Sequence, residues 1–135
     1  MSKVKPKANS IMICDNVLTE EGTNKKSLIG IFEHIGSPQF PCVHGSLSLY
    51  VKLTDAIGEY ALHLELYDLE QNRKLGEGTT APLSIKNRHD FHEVIFKLMG
   101  LVFEHPGKYE FRLFANSEYI DAKTFNVVQR KGGIS

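Results

Sequence analysis

The sequence predicts an all-β protein: a single antiparallel β-sandwich, immunoglobulin-like, of about seven or eight strands. Three observations carry this. The chain ends in two extended runs, Gly107 to Ala115 and Tyr119 to Val128, launched by Pro106-Gly107 and joined by the polar turn Asn116-Ser117. That is a β-hairpin. Two central runs alternate apolar and polar residues, Leu47-Leu49-Val51-Leu53 and Tyr60-Leu62-Leu64-Leu66. Period two is the signature of a strand with one buried face. Turn residues also punctuate the chain at the short intervals expected of a sandwich.

Taken in order, residues 1–8 read as a flexible basic lead carrying Lys3, Lys5 and Lys7. Ser10 to Leu18 is a strand with Ile11, Ile13 and Val17 on one face and Met12, Cys14 and Leu18 on the other. Apolar residues on both faces predict a strand covered on both sides. Thr19 to Lys25 is a polar turn, and Ser27 to Ile35 the next strand. Gly30 inside it predicts a bend or a close backbone approach. Gly36 to Pro41 is a loop, because its two prolines cannot both serve a ladder.

The central runs then read as a hairpin with one dry and one wet face, turning at Thr54 to Gly58. The wet face would gather Tyr50, His63, Glu65 and Tyr67, with Ser48 and Lys52 beside them. Asp68 to Lys74 turns, and Leu75 to Ile85 is an edge strand interrupted by Gly76, Gly78 and Pro82. Residues 91–103 fit both helical and strand spacing. Their richness in β-formers and their position between extended segments favour a strand. The sandwich domain spans residues 9–129, and 130–135 is a disordered tail.

Composition bounds the function. A chain of 135 residues suits one domain. Sixteen basic residues balance sixteen acidic ones. Nothing therefore draws the whole molecule to nucleic acid or to an anionic membrane. A neutral surface opposes self-association only weakly, which admits a homo-oligomer. Cys14 and Cys42 make no disulfide framework. No apolar run reaches signal-peptide or membrane-spanning length. These features predict a reduced, cytoplasmic protein.

The motifs Ile13-Cys14-Asp15, Leu28-Ile29-Gly30-Ile31-Phe32 and Pro106-Gly107-x-Tyr109-x-Phe111, with the Pro-rich loop and the Leu-rich runs, resemble a family of small bacterial proteins. That family is a domain of unknown function. The resemblance covers about residues 10–128 and implies a sandwich without a known activity. The ending is similar to the closing hairpin of immunoglobulin-like sandwiches. Leu64-x-Leu66-x-Asp68 with Lys74-x-Gly76 resembles a C2 domain. The clustered aspartates that calcium needs are missing, since Asp55 and Asp121 stand alone.

Catalytic signals fail on inspection. His89 and His92 would face opposite sides of a strand, and no further ligands complete a metal set. Glu20 and Glu21 are neighbours in a turn, not carboxylates flanking a substrate. Gly76-Glu77-Gly78 opens no helix, and no nucleophile motif is present. The expectation is therefore no enzyme, no metal and no cofactor. The protein would be an interaction or structural module with a protein partner or a second copy of itself. Tyr50, His63, Glu65 and Tyr67 are its candidate binding face, since aromatics with polar tips suit interfaces. The alternatives are a small-ligand or carbohydrate-binding sandwich using that face or the Pro38–Pro41 loop, and an uncharacterised hydrolase.

Overall fold

The computed structural model describes residues 4–131. These are all-β, with eleven strands and no helix. One sheet has the order β2-β1-β4-β9, built from β1 (Lys7–Thr19), β2 (Lys26–Ile31), β4 (Cys42–Thr54) and β9 (His92–Phe103). The other has the order β3-β11-β10-β6-β7, built from β3 (His34–Ser37), β6 (Leu62–Asp68), β7 (Arg73–Thr79), β10 (Gly107–Ala115) and β11 (Glu118–Gln129). Two short strands, β5 (Gly58–Tyr60) and β8 (Leu83–Ile85), pair with each other.

The closing hairpin is as expected. β10 and β11 pair antiparallel from Gly107↔Val127 to Ala115↔Glu118. Residues 92–103 are a strand, not a helix. The inward residues of both large sheets form one core: Leu47, Leu49, Val51 and Leu53 from β4 meet Leu62, Leu64 and Leu66 from β6. Phe103 of β9 packs edge-on against Tyr109 and Phe125 of the opposite sheet, at ring-centroid distances of 4.8 and 5.9 Å.

Three expectations need correction. The strand count exceeds seven or eight, and the pairing is not wholly antiparallel, because β3 runs parallel to β11. The strand expected over residues 27–35 splits at Phe32-Glu33. The Phe32 amide donates to Ile13 in one sheet, while the Glu33 carbonyl accepts from Asn126 in the other. The chain thus changes sheets within two residues. Finally, β4 and β6 are not a hairpin. They lie in different sheets and share no ladder.

The corner between them explains why. Asp55 and Gly58 adopt positive φ, and β5 leads the chain across the end of the fold. The buried Tyr60 hydroxyl clamps this corner, accepting from the Ile57 amide, with the carbonyls of Val4 and Ile57 both within reach of its single proton. The expected lead is therefore tied down in part. Pro6 is buried, and Lys7 and Ala8 already pair with Thr54 and Leu53. At the other end, the Arg130 amide donates to Ser37. Residues 1–3 of the expected lead and 132–135 of the expected tail lie outside the described residues.

Two glycines shape the four-stranded sheet. Gly30 has a φ of +69°, and a Cβ there would sit 2.4 Å from the Asp15 carboxylate, so the expected close approach is present. Gly100 (φ +64°) faces Gly45 across the β4–β9 ladder, whose register continues unbroken. At this pair the inward parity of both strands reverses. Leu98 packs against the core on one side and Phe103 is buried on the other. Val43 and Val102 are thereby turned outward. Among the described residues, no helix is long and apolar enough to cross a membrane.

Candidate functional site

The four candidate residues divide between the two outer faces. His63, Glu65 and Tyr67 share the outside of β6 in the five-stranded sheet. Tyr50 projects from β4 on the opposite side of the molecule. The expected single wet face does not exist, because it required β4 and β6 to be neighbours. Ser48 and Lys52 go with Tyr50, and Ser48 is buried.

The β6 side is a charge network. The Arg112 guanidinium stacks 3.8 Å from the Tyr67 ring centroid and pairs with Glu110 at 2.7 Å. His63 contacts Thr79, Glu65 and Glu77 at 2.9, 3.0 and 3.2 Å. Ligand atoms of His63, Glu65 and Glu77 lie within 4.8 Å of one another, near enough to converge on a cation. The Lys74 ammonium already occupies that role, at 3.0 Å from Glu77 and 3.7 Å from Glu65. It holds the Glu77 carboxyl below its ordinary range, chiefly by this hydrogen bond. A structural zinc site also wants four ligands. The network is self-satisfied and suits a solvated face better than a metal. The Asn116-Ser117 turn is likewise structural, its Asn116 amide tied to the backbone of Ala61 and Glu59.

The outside of the four-stranded sheet is different. Eleven large hydrophobic residues are exposed among those described, and eight of them lie here. They are Met12 and Leu18 on β1, Ile29 and Ile31 on β2, Val43 on β4, and Ile95, Met99 and Val102 on β9. Met99 is 71% exposed. The exposed Phe91 ring lies at the end of β9 beneath Lys52, 4.6 Å from its ammonium. In the middle sits Tyr50, only 8% exposed, between its cross-strand neighbours Met12 and Ile95. Its hydroxyl donates to Glu93. Burial, then that carboxylate, push its pKa up to about 12.

The expected covering of β1 on both sides is thus incomplete. Cys14 is buried on the outward face, but Met12 and Leu18 are open. The sequence signal was present in those two residues, with Ile29 and Ile31 beside them. Assigning them to a buried face hid it.

A third feature lies where β1, β2 and β4 approach β3 and β11, next to the Pro38–Pro41 loop. A cleft of about 440 Å³ is lined by Asp15, Phe32, His34, His44 and Arg130 among others. Its polar groups are set by Gly30 and Gly36, over which the Asp15 and Arg130 side chains lie. The His44 Nε2 atom is buried and has no hydrogen-bond partner.

Known structures share the fold at low identity. The alkylpurine DNA glycosylase AlkC of Pseudomonas fluorescens, bound to DNA containing an abasic site analog, aligns with a TM-score of 0.57 and 10% identity. The alignment covers 93% of this chain and 31% of the glycosylase. A mutant β-glucosidase of Listeria innocua in complex with laminaribiose aligns with a TM-score of 0.50 and 14% identity, over 91% of this chain and 16% of the other. The chain thus spans less than a third of either protein, and these likenesses concern the fold alone. No curated protein matches the sequence. Over residues 9–128, the chain belongs to a family of unknown function (DUF6941).

Proposed function

We propose that the protein is a non-enzymatic, immunoglobulin-like sandwich that acts as a protein-interaction module through the outer face of its four-stranded sheet. The strand orders support the immunoglobulin-like reading. β1-β4-β9 corresponds to strands A, B and E, and β11-β10-β6-β7 to G, F, C and C′. Tyr109, near the start of the F-equivalent strand, donates its hydroxyl to the carbonyl of His105 at 2.7 Å. That is the geometry of the tyrosine corner of such domains.

The observation that carries the functional reading is the apolar outer face. Contiguous exposed apolar patches are uncommon on monomers and mark interaction sites. Four strands about 4.8 Å apart, averaging about 35 Å in length, give roughly 700 Å² of plan area. A standard interface takes roughly 800 Å² from each partner. The whole face therefore comes close to the area that one partner of a standard interface contributes. Balanced charge gives no electrostatic reason to include nucleic acid among the partners.

The double variant Ile95→Lys, Met99→Lys tests this. Both side chains are exposed, so Tm is expected to stay within about 3 °C, as surface changes usually do. Self-association, or capture of partners by the wild-type protein, is expected to disappear. An unchanged set of captured proteins and an unchanged oligomeric state overturn the reading.

The cleft supports a second reading, a small polar ligand such as a sugar, because Asp15, His34, His44 and Arg130 line it with polar side chains. A Tm rise with a mono- or disaccharide, abolished by His44→Phe, is expected on this reading. No shift across the series sinks it.

A further inference from the structure

We propose that the occupant of the apolar face is a second copy of this chain, related by a two-fold axis along the row Met12–Tyr50–Ile95. The inference rests on the reading of this face as an interface, and it names the partner.

Met12 pairs with Tyr50 and Tyr50 with Ile95 across three adjacent strands, so the three side chains form a line perpendicular to the strands. A two-fold axis lying above that line turns the sheet face-down onto its copy. It reverses strand direction and keeps each long strand over its own counterpart. Such an isologous contact requires the face to be complementary to itself.

β9 meets that requirement residue by residue. Outward along its part before Gly100, with Phe91 just ahead of it, stand Phe91, Glu93, Ile95, Lys97 and Met99, all exposed. Rotation about Ile95 brings Glu93 over Lys97 of the partner subunit, and Phe91 over Met99 of the partner subunit. Each contact occurs twice. The first pairs opposite charges and the second a thioether with an aromatic ring, a favourable contact. The order apolar, acid, isoleucine, base, apolar is what a two-fold through its centre selects.

The other two long strands, β4 and β1, raise no conflict. On β4, Tyr50 meets its own copy and Lys52 comes over Ser48 of the partner subunit. On β1, Met12 meets its own copy and Ser10 comes over Cys14 of the partner subunit. No like charges are opposed. The aligned packing of two sheets, crossing at about 30°, moves residues this near the axis by only a few ångströms. Lysine and glutamate span that easily. The Tyr50 hydroxyl holds Glu93 from beneath, which fixes the acid for the contact. The zero net charge leaves no long-range repulsion between copies.

Sedimentation equilibrium across the micromolar range is the first measurement. Wild-type protein is expected to show the mass of two chains, dissociating on dilution. Lys97→Glu places four carboxylates around the axis and is expected to weaken the dimer by roughly tenfold or more. The double exchange Glu93→Lys, Lys97→Glu restores opposite pairing and is expected to recover it. Facing sheets stand about 10 Å apart, so Ile95→Cys is expected to give a covalent dimer with a short bismaleimide. The wild type, with Cys14 buried and Cys42 half-buried, is expected not to.

A dimer indifferent to the charge exchange, or one in which the Ile95→Cys variant gives no covalent product with the bismaleimide, overturns the proposed two-fold. A monomeric wild type whose captured partners vanish in the Ile95→Lys, Met99→Lys variant overturns the second copy and leaves the interface reading standing. A monomer with unchanged captures overturns both.

Discussion

Phe103→Ala is expected to lower Tm by about 10–20 °C. The residue belongs to β9 of one sheet, is fully buried, and contacts the rings of Tyr109 and Phe125 in the other. Phe125 in turn stacks on Phe111 at 5.2 Å. Phe103 is therefore the aromatic link across the core, and its loss opens a void bounded by rigid rings. Buried Phe→Ala changes cost about 3–5 kcal/mol. For a domain of this size each kcal/mol corresponds to about 3–5 °C. Differential scanning calorimetry decides it. A fall below about 5 °C would mean that the two sheets do not depend on this contact.

The second large effect is expected at Asp68, a carboxylate only 1% exposed. Its Oδ1 accepts from the amides of Glu70 and Gln71 at 3.0 and 3.2 Å, and its Oδ2 faces His105 Nε2 at 2.6 Å. It thus joins the β6–β7 turn to the β9–β10 corner. Asp68→Ala leaves those donors unpaired, at a cost of about 2–4 kcal/mol.

The pair also predicts a pH dependence. His105 Nδ1 faces the Pro106 carbonyl at 2.7 Å, so both ring nitrogens meet acceptors and the imidazolium form fits best. The Pro106 carbonyl, then Asp68, raise its pKa. Burial pushes the Asp68 carboxyl up, but the bonds from His105, Gln71 and Glu70 outweigh it and leave the pKa lowered. A raised histidine stabilises fully below its unfolded pKa, and that contribution is lost as pH rises through the folded value. A lowered aspartate stabilises above its unfolded pKa, and that contribution is lost as pH falls through its folded value. The contribution of the pair is therefore greatest between about pH 4 and pH 6.5. The Tm difference between wild type and His105→Ala is expected to shrink from pH 6 to pH 9. Parallel profiles for the two proteins would refute the linkage.

Much of the scaffold was legible in the sequence. Tyr109, Phe111, Leu113, Phe125 and Val127 alternate along the closing hairpin and are all buried. The alternation in β4 and β6 located their dry faces, because period two reports which side of a strand loses water. The site was legible only in fragments. Tyr50 was singled out for a polar face and proves to be the centre of an apolar one. Arg112, which stacks on Tyr67, was not singled out, since nothing local distinguishes it from any outward arginine on a strand.

Local sequence thus determined the strands, the closing hairpin, the core residues and the balanced charge, all of which follow from side-chain type and period. It did not determine which strands are neighbours. An arch that crosses to the opposite sheet and a hairpin that folds back satisfy the same alternation, since each buries the same face of each strand. Tertiary structure decided between them through the corner at Asp55, Gly58 and Tyr60. That decision sent Tyr50 and Tyr67 to opposite sides of the molecule. It also left Met12, Ile95 and Met99 together on a face that no other part of the described chain covers.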